Sequence, residues 1–274
     1  MGDSVKDYAA VKFRDGVVSA CDERLVVEEP LEIRLAGRRF TVTMRTPGHD
    51  EELITGFLFA EGLVSAKGDI DEIRRVRGNK GELEPNVFDV ILRIKADEFS
   101  ERLKRNFVVS SSCGVCGKTS IESLEQRIPI VESDTRVAAA TIIGLPALMS
   151  DAQQIFAATG GLHAAGLFDL ADSDAAKLFV LREDIGRHNA VDKVIGHALM
   201  QGRIPFGNSI LMVSGRVSFE IVQKAAAAGI PILCAVSAPS SLGVELAEEL
   251  GITLVGFLRV SSFNVYTHRE RISL

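Results

Sequence analysis

Apolar and polar positions alternate with a period of two through the first third of the chain. Leu31-Glu-Ile-Arg-Leu35, a break at Ala36-Gly37, and Arg38 to Met44 read as a hairpin. Thr46-Pro47-Gly48 interrupts it. Leu53, Ile54, Phe57 and Leu58 then fall at helical spacing, with Gly62 marking the helix end. Two more strands are expected at Ile70–Val76 and Val87–Ile94, across the polar loop Gly78 to Glu82.

The rhythm changes near residue 135. Helical runs now alternate with short β-branched runs, the pattern of βαβ crossovers and a mostly parallel sheet. Strands are predicted at Leu178–Leu181, Ile210–Val213, Ile232–Val236 and Thr253–Leu258, with helices at Asn189–Met200, Phe219–Ala228 and Leu242–Leu250. In the first helix Val191, Val194, Ile195, Ala198 and Leu199 form an apolar stripe. The expected class is α/β, a mixed sheet flanked by helices with a β-rich N-terminal portion. That portion, residues 1–134, ends in a cysteine loop; residues 135–274 form an α/β portion carrying a ligand pocket. One continuous domain fits the same pattern.

Open α/β sheets bind ligands beyond the carboxyl ends of their strands. Here those loops read Arg182-Glu-Asp-Ile-Gly-Arg-His-Asn189, Ser214-Gly-Arg-Val-Ser218, Ser237-Ala-Pro-Ser-Ser241 and Arg259-Val-Ser-Ser-Phe-Asn264. The first three end at helix starts, where free N–H groups and the helix dipole favour an anion. Arg182, Arg187, Arg216 and Arg259 can add charge-assisted bonds, and Ser214, Ser237 and His188 line the same turns. His163 follows the glycine pair of Thr159-Gly-Gly-Leu-His163. Any one loop is weak, since Ser and Asp also cap helices. Four on one sheet edge predict a pocket for a phosphate-bearing ligand.

Composition narrows the function. Of 274 residues 46% are hydrophobic and 25% charged, which excludes a disordered or collagenous chain. Thirty-one Lys and Arg against 37 Asp and Glu give a net charge of −6, so no overall basic field gathers nucleic acid. The basic stretch Arg74, Arg75, Arg77, Lys80 reads as a solvated face. The longest apolar run, Val137 to Met149, is too short to span a bilayer and contains Gly144 and Pro146. No leader is visible, and four cysteines make no disulfide scaffold, so reduced thiols and a cytoplasmic location are expected, with no membrane partner.

The most specific local feature is Ser110-Ser-Ser-Cys113-Gly-Val-Cys116-Gly-Lys-Thr-Ser120. Gly114 and Gly117 let a bulky partner approach the backbone. Thr119 with Glu122 has the form of a capping box, so a helix start and Lys118 would both favour thiolate. Two such cysteines can hold a persulfide on one and resolve it with the other. A structural zinc site wants a second Cys or His pair, and none is present; Cys21 and Cys234 read as buried spectators. Zinc deaminases combine His-x-Glu with a later Pro-Cys-x-x-Cys. His49-Asp-Glu51 and Cys113-x-x-Cys116 approximate that, although Ser112 replaces the proline and the interval is long. No hydrolase elbow, phosphate loop or dinucleotide fingerprint appears.

Together these motifs resemble the FdhD family, accessory sulfurtransferases that mature formate dehydrogenase. The resemblance rests on Thr46-Pro-Gly with Gly56-Phe-Leu and Glu61-Gly62, Ser111-Ser-Cys-Gly-Val-Cys-Gly117, Thr159-Gly-Gly-Leu-His163, Arg182 to Lys193, Ser214-Gly-Arg-Val-Ser218, Ser237-Ala-Pro239 and Gly256-Phe-Leu-Arg259. It implies a sulfur carrier that accepts a sulfane sulfur from a cysteine desulfurase. The acceptor would be the molybdenum (or tungsten) bis-guanine-dinucleotide cofactor, then inserted into formate dehydrogenase; no permanently bound metal is expected. By the resemblance Cys113 bears the persulfide with Cys116 as its partner. Phe257, Leu258, Arg259, Val260, Ser261 and Ser262 would contact the cofactor. It also implies a cytidine-deaminase-like core and a homodimer. Two other readings stay open: a zinc-dependent nucleobase deaminase using His49, Glu51, Cys113 and Cys116, and a cofactor-holding chaperone whose cysteines are incidental.

Overall fold

In the computed structural model, residues 4–78, 81–93, 128–171 and 175–273 are described. The chain opens with a hairpin that period-two alternation did not flag. β1 (Val5–Arg14) and β2 (Val17–Val26) pair through Asp15-Gly16, both at positive φ (52° and 82°) as a two-residue hairpin turn requires. Its apolar side chains are largely exposed, Val11 and Phe13 by 72% each. The expected second hairpin is present as β3 (Glu29–Leu35) and β4 (Arg38–Arg45), turning at Ala36-Gly37. Leu31, Ile33 and Leu35 all point inward, as the alternation predicts.

Helix α1 (Asp50–Ala60) follows, then β5 (Ile70–Arg77) and β6 (Leu83–Leu92). These strands complete a four-stranded sheet ordered β4-β3-β6-β5. The second portion contains β7 (Val137–Ala138), α2 (Ala139–Ala152), α3 (Gln154–Thr159), β8 (His163–Ala171) and β9 (Ala175–Asp184). It continues with α4 (Arg187–Met200), β10 (Ser209–Val213), α5 (Phe219–Ala227), β11 (Ile232–Ala235), α6 (Ser241–Glu249) and β12 (Thr253–Gly256). The short strands β13 (Asn264–Val265) and β14 (Ile272–Ser273) close the chain.

The larger sheet is ordered β13-β12-β11-β10-β8-β9. It is mixed. Among the described residues of this sheet only β10–β11 and β11–β12 pair in parallel; β8 runs antiparallel to both β9 and β10, and β13 antiparallel to β12. The mostly parallel sheet expected from the βαβ rhythm is therefore corrected at both edges. The predicted crossover helix is present as α4 between β9 and β10, but the unpredicted strand β8 lies between those two strands and pairs antiparallel with both.

Alternate residues of the central strands serve two cores. Leu211 and Val213 of β10, Leu233 and Ala235 of β11, and Leu254 of β12 face a cluster built with α1, α4 and α5. Ile210, Met212, Ile232, Cys234 and Val255 face the opposite side, where α2 contributes Ile142, Leu145 and Met149. The first cluster also takes Leu31, Ile33, Phe88 and Val90 from the four-stranded sheet, so it crosses residue 134 without a break.

Helices α1 and α4 meet at two glycines. A Cβ on Gly56 would lie 1.9 Å from the Asp192 carbonyl oxygen, and one on Gly196 1.8 Å from that of Glu52. Only bare backbone fits there. No helix among the described residues is long and apolar enough to cross a membrane.

Candidate functional site at the sheet edge

Strand directions decide where the polar loops gather. β9 runs against β8 and β8 against β10, so β9 points the same way as β10, β11 and β12. The carboxyl ends at Asp184, Val213, Ala235 and Gly256 therefore share one edge of the sheet. His163 joins them, because it opens the antiparallel β8 and pairs in register with Asp184. The four loops predicted from sequence do converge, with His163 beside them.

Two of the loops are bonded to each other. The Val217 N–H donates to the Ala238 carbonyl (3.2 Å), and the Ser240 N–H to that of Val217 (2.9 Å). Ser214 is tied to β8, its Oγ accepting from the Ala164 N–H at 2.9 Å. Ser237 gives its carbonyl to the Phe257 N–H (3.2 Å). In the 257–262 segment, Phe257 is left-handed (φ 52°), and the Arg259 N–H closes a turn on the Ser262 carbonyl at 2.8 Å. Phe257, Val260, Ser261 and Ser262 are exposed, whereas the Leu258 side chain is buried in the core and presents only backbone to the edge. The Arg259 guanidinium donates to the carbonyls of Val236 and Leu258.

His188 places Nε2 3.0 Å from Ser218 Oγ and 3.1 Å from a Glu220 carboxylate oxygen. Burial, with the Lys224 and Arg187 charges nearby, pulls its pKa down to about 3, so the ring is neutral near pH 7. His163 is lowered for the same reason, burial first and then Arg187 and Arg216. A Cβ on Gly215 would come within 3.3 Å of His163 Nδ1 and 3.4 Å of Arg187 Cδ, which places all three residues together. Arg216 is exposed.

Beneath the edge lies a scaffold of buried charges that hydropathy patterns did not single out. Lys193 Nζ sits 2.7 Å from Asp184 and donates to the Thr46 carbonyl at 2.9 Å. Asp184 also accepts from the N–H groups of Thr46 and Gly186 and from the Asn189 amide. Lys224 and Asp192 form a second close pair; burial pushes Asp192 up to about 6 against the pull of Lys224. The available signal was Asp192-Lys193 standing inside the apolar stripe of α4. Arg182, counted among the edge arginines, turns instead to Glu52, with contacts of 2.5 and 2.7 Å. Burial alone would raise Glu52, but its bonds from Arg182, His49 and His197 outweigh that and hold it well below the carboxylate range.

Cys113 and Cys116, with Lys118 and the capping box, lie outside the described residues. His49 is left-handed at the start of α1 and sits 3.4 Å from Glu52; Glu51 is exposed. Cys21 is only partly buried, on β2, whereas Cys234 is fully buried in β11, where burial drives its thiol pKa upward.

The fold and the edge define a class: an α/β protein with helices on both faces of a mixed sheet and an arginine- and histidine-bearing cluster of loops at its carboxyl end. The family follows from comparison with known proteins. The FdhD/NarQ family model matches residues 26–273, and the chain belongs to that family. The sulfur carrier protein FdhD of Mycolicibacterium paratuberculosis is 52% identical over 261 residues, 94% of either chain. That of Streptomyces coelicolor is 46% identical over 279 residues, covering 100% of this chain and 98% of its own. The crystal structure of a formate dehydrogenase accessory protein from Desulfotalea psychrophila matches with a TM-score of 0.75 at 29% identity, covering 98% of this chain and 100% of that one.

Proposed function

We propose that this protein is a sulfur carrier for formate dehydrogenase maturation, loading sulfur on Cys113 and delivering it to a guanine-dinucleotide cofactor held at the sheet edge. The observation that carries the proposal is the convergence of four strand-end loops and His163 on one edge, in a chain whose relatives are named sulfur carriers. The cargo is the molybdenum (or tungsten) bis-guanine-dinucleotide cofactor, bound as substrate. The cytidine-deaminase-like core belongs to the same proposal, as do a homodimer and action in the cytoplasm.

Loading is a thiol exchange. The Cys113 thiolate attacks the terminal sulfur of the persulfide on a cysteine desulfurase; a new S–S bond forms on Cys113 and the desulfurase leaves as thiolate. Release requires two electrons, because sulfane sulfur becomes sulfide. Cys116 supplies them: its thiolate attacks Cys113 Sγ, the Cys113–Cys116 disulfide forms, and hydrosulfide leaves toward the cofactor. The exposed Arg216 at the edge suits a polyanionic nucleotide through charge-assisted bonds.

Intact-mass spectrometry after incubation with a cysteine desulfurase and cysteine, without reductant, tests this. One or two added sulfur atoms should appear, removable by reductant and mapping to Cys113 or Cys116. Cys113→Ala should abolish both the gain and formate dehydrogenase maturation, whereas Cys116→Ala should load and then fail to release. No gain, with one tightly bound zinc per chain, would replace the proposal by the deaminase. Full maturation by the double cysteine variant would replace it by the cofactor-holding chaperone.

A further inference from the structure

The basic stretch on β5 does more than face solvent. Arg74, Arg75 and Arg77 are exposed, but they line an open cleft of about 1320 Å³ between β5 and the start of α1, with Lys6 of β1 on its wall. None of the carboxyl-edge loops contributes to this cleft. Arg74 and Arg75 are successive, so their side chains leave opposite faces of β5; both line the cleft because it follows the outer edge of that strand. β5 ends the order β4-β3-β6-β5, so that edge has no strand partner among the described residues.

The acidic side chains of the cleft are mostly engaged, and its cations mostly are not. Asp50 and Glu29 bond to the buried Arg45, and Glu52 to Arg182 and His197. Glu51 is the exception, exposed and without an ion pair among the described residues. Arg74 pairs with Asp89 and Glu72. Arg75, however, lies over the Phe88 ring at 5.4 Å, and Arg77 donates to the Gly81 carbonyl at 2.9 Å. Neither of them, nor Lys6, meets a carboxylate among the described residues. On a chain of net charge −6 this leaves a local field opposite in sign to that of the molecule. Basic side chains guard an open edge against pairing with its own copy, since two such edges repel; an acidic strand meets no such barrier.

We propose that this cleft docks an acidic, extended segment of a protein partner, added to β5 as a further strand with its carboxylates on Arg75, Arg77 and Lys6. Arg75 and Arg77 stand two apart on one strand, the spacing at which alternate side chains of an added strand recur. The cleft is larger than the roughly 300–1,000 Å³ of a small-molecule site, and it is open, as the passage of a chain requires. Leu83, 50% exposed, offers the segment an apolar contact between the charges. The proposal goes beyond sulfur loading and cargo binding and rests on neither.

Fluorescence anisotropy on the full chain at low salt tests it, with a labelled octapeptide alternating glutamate and threonine as the probe. That peptide should bind at least fivefold more tightly than a block peptide of the same composition, and added salt should weaken it. Arg75→Glu combined with Arg77→Glu should lower the affinity at least tenfold. If circular dichroism shows that variant unfolded, Arg77→Gln replaces it, with an expected loss of threefold or more. No binding to the parent chain, or affinity within twofold of the parent in a folded variant, would overturn the proposal. Equal binding of the block peptide would overturn docking as a strand. Tripolyphosphate binding through the same arginines, in a chain that ignores the peptide, would give the cleft to a small polyanion instead. Unchanged peptide affinity with a halved mass in sedimentation would give it to a second copy of this chain.

Discussion

Asp184 and Lys193 have side chains only 0% and 1% exposed, and they join three elements: the end of β4 through Thr46, the end of β9, and the second turn of α4. A buried pair like this adds little over an apolar packing of the same shape, but losing one partner strands the other. Lys193→Met should cost about 3–5 kcal/mol, a fall in melting temperature of the order of 10 °C for a chain of this size, read by thermal circular dichroism. His188 carries a pH signature. Unfolded, it takes up a proton as pH falls through about 6.5; folded, it resists until about 3. The unfolded state thus binds more protons in that window, and stability falls with falling pH. His188→Gln should lose less stability than the parent chain between pH 7 and 5 in parallel melts. Which chemistry each residue could offer was legible in the sequence. Which edge arginines are tied up within the fold was not, because Glu52 and the Val236 carbonyl reach Arg182 and Arg259 from distant parts of the chain.

Helices α1 and α4 cross backbone against backbone. With carbonyl oxygens within 2 Å of where a side chain would begin at Gly56 and Gly196, no rotamer relieves a substitution. Gly196→Val should destabilise by about 3 kcal/mol or more, visible as a lower denaturant midpoint with an unchanged slope. Periodicity found β3, β4, α1 and the β10 to β12 run because their apolar residues alternate or stripe cleanly. Among the elements it missed, β8 and the β1–β2 hairpin escaped for different reasons. β8, His-Ala-Ala-Gly-Leu-Phe-Asp-Leu-Ala, has no β-branched residue and is held by pairing on both sides. In the β1–β2 hairpin, strands without an inward face show no burial pattern to read, although Asp15-Gly16 is itself a strong turn signal.

Across the whole molecule, one apolar cluster runs from Leu31 to Leu254 and takes both sheets into the same core. Thermal unfolding should therefore be a single transition, with far- and near-ultraviolet circular dichroism and fluorescence coinciding. Residues 135–274 produced alone should show no such transition, since α4 would lose α1 from its glycine face. Chain reversal at β8 and β9 has an effect of another kind. The polypeptide visits the carboxyl edge of the sheet five separate times, at residues 163, 184–189, 213–218, 235–241 and 256–264, each visit anchored by its own strand. Each visit keeps its register through its own strand, while backbone bonds join the 213–218, 235–241 and 256–264 visits to one another. On the function proposed above, selection can then retune contacts to one part of a large cargo while the strands stay as they are, so that loops can diverge on an unaltered frame.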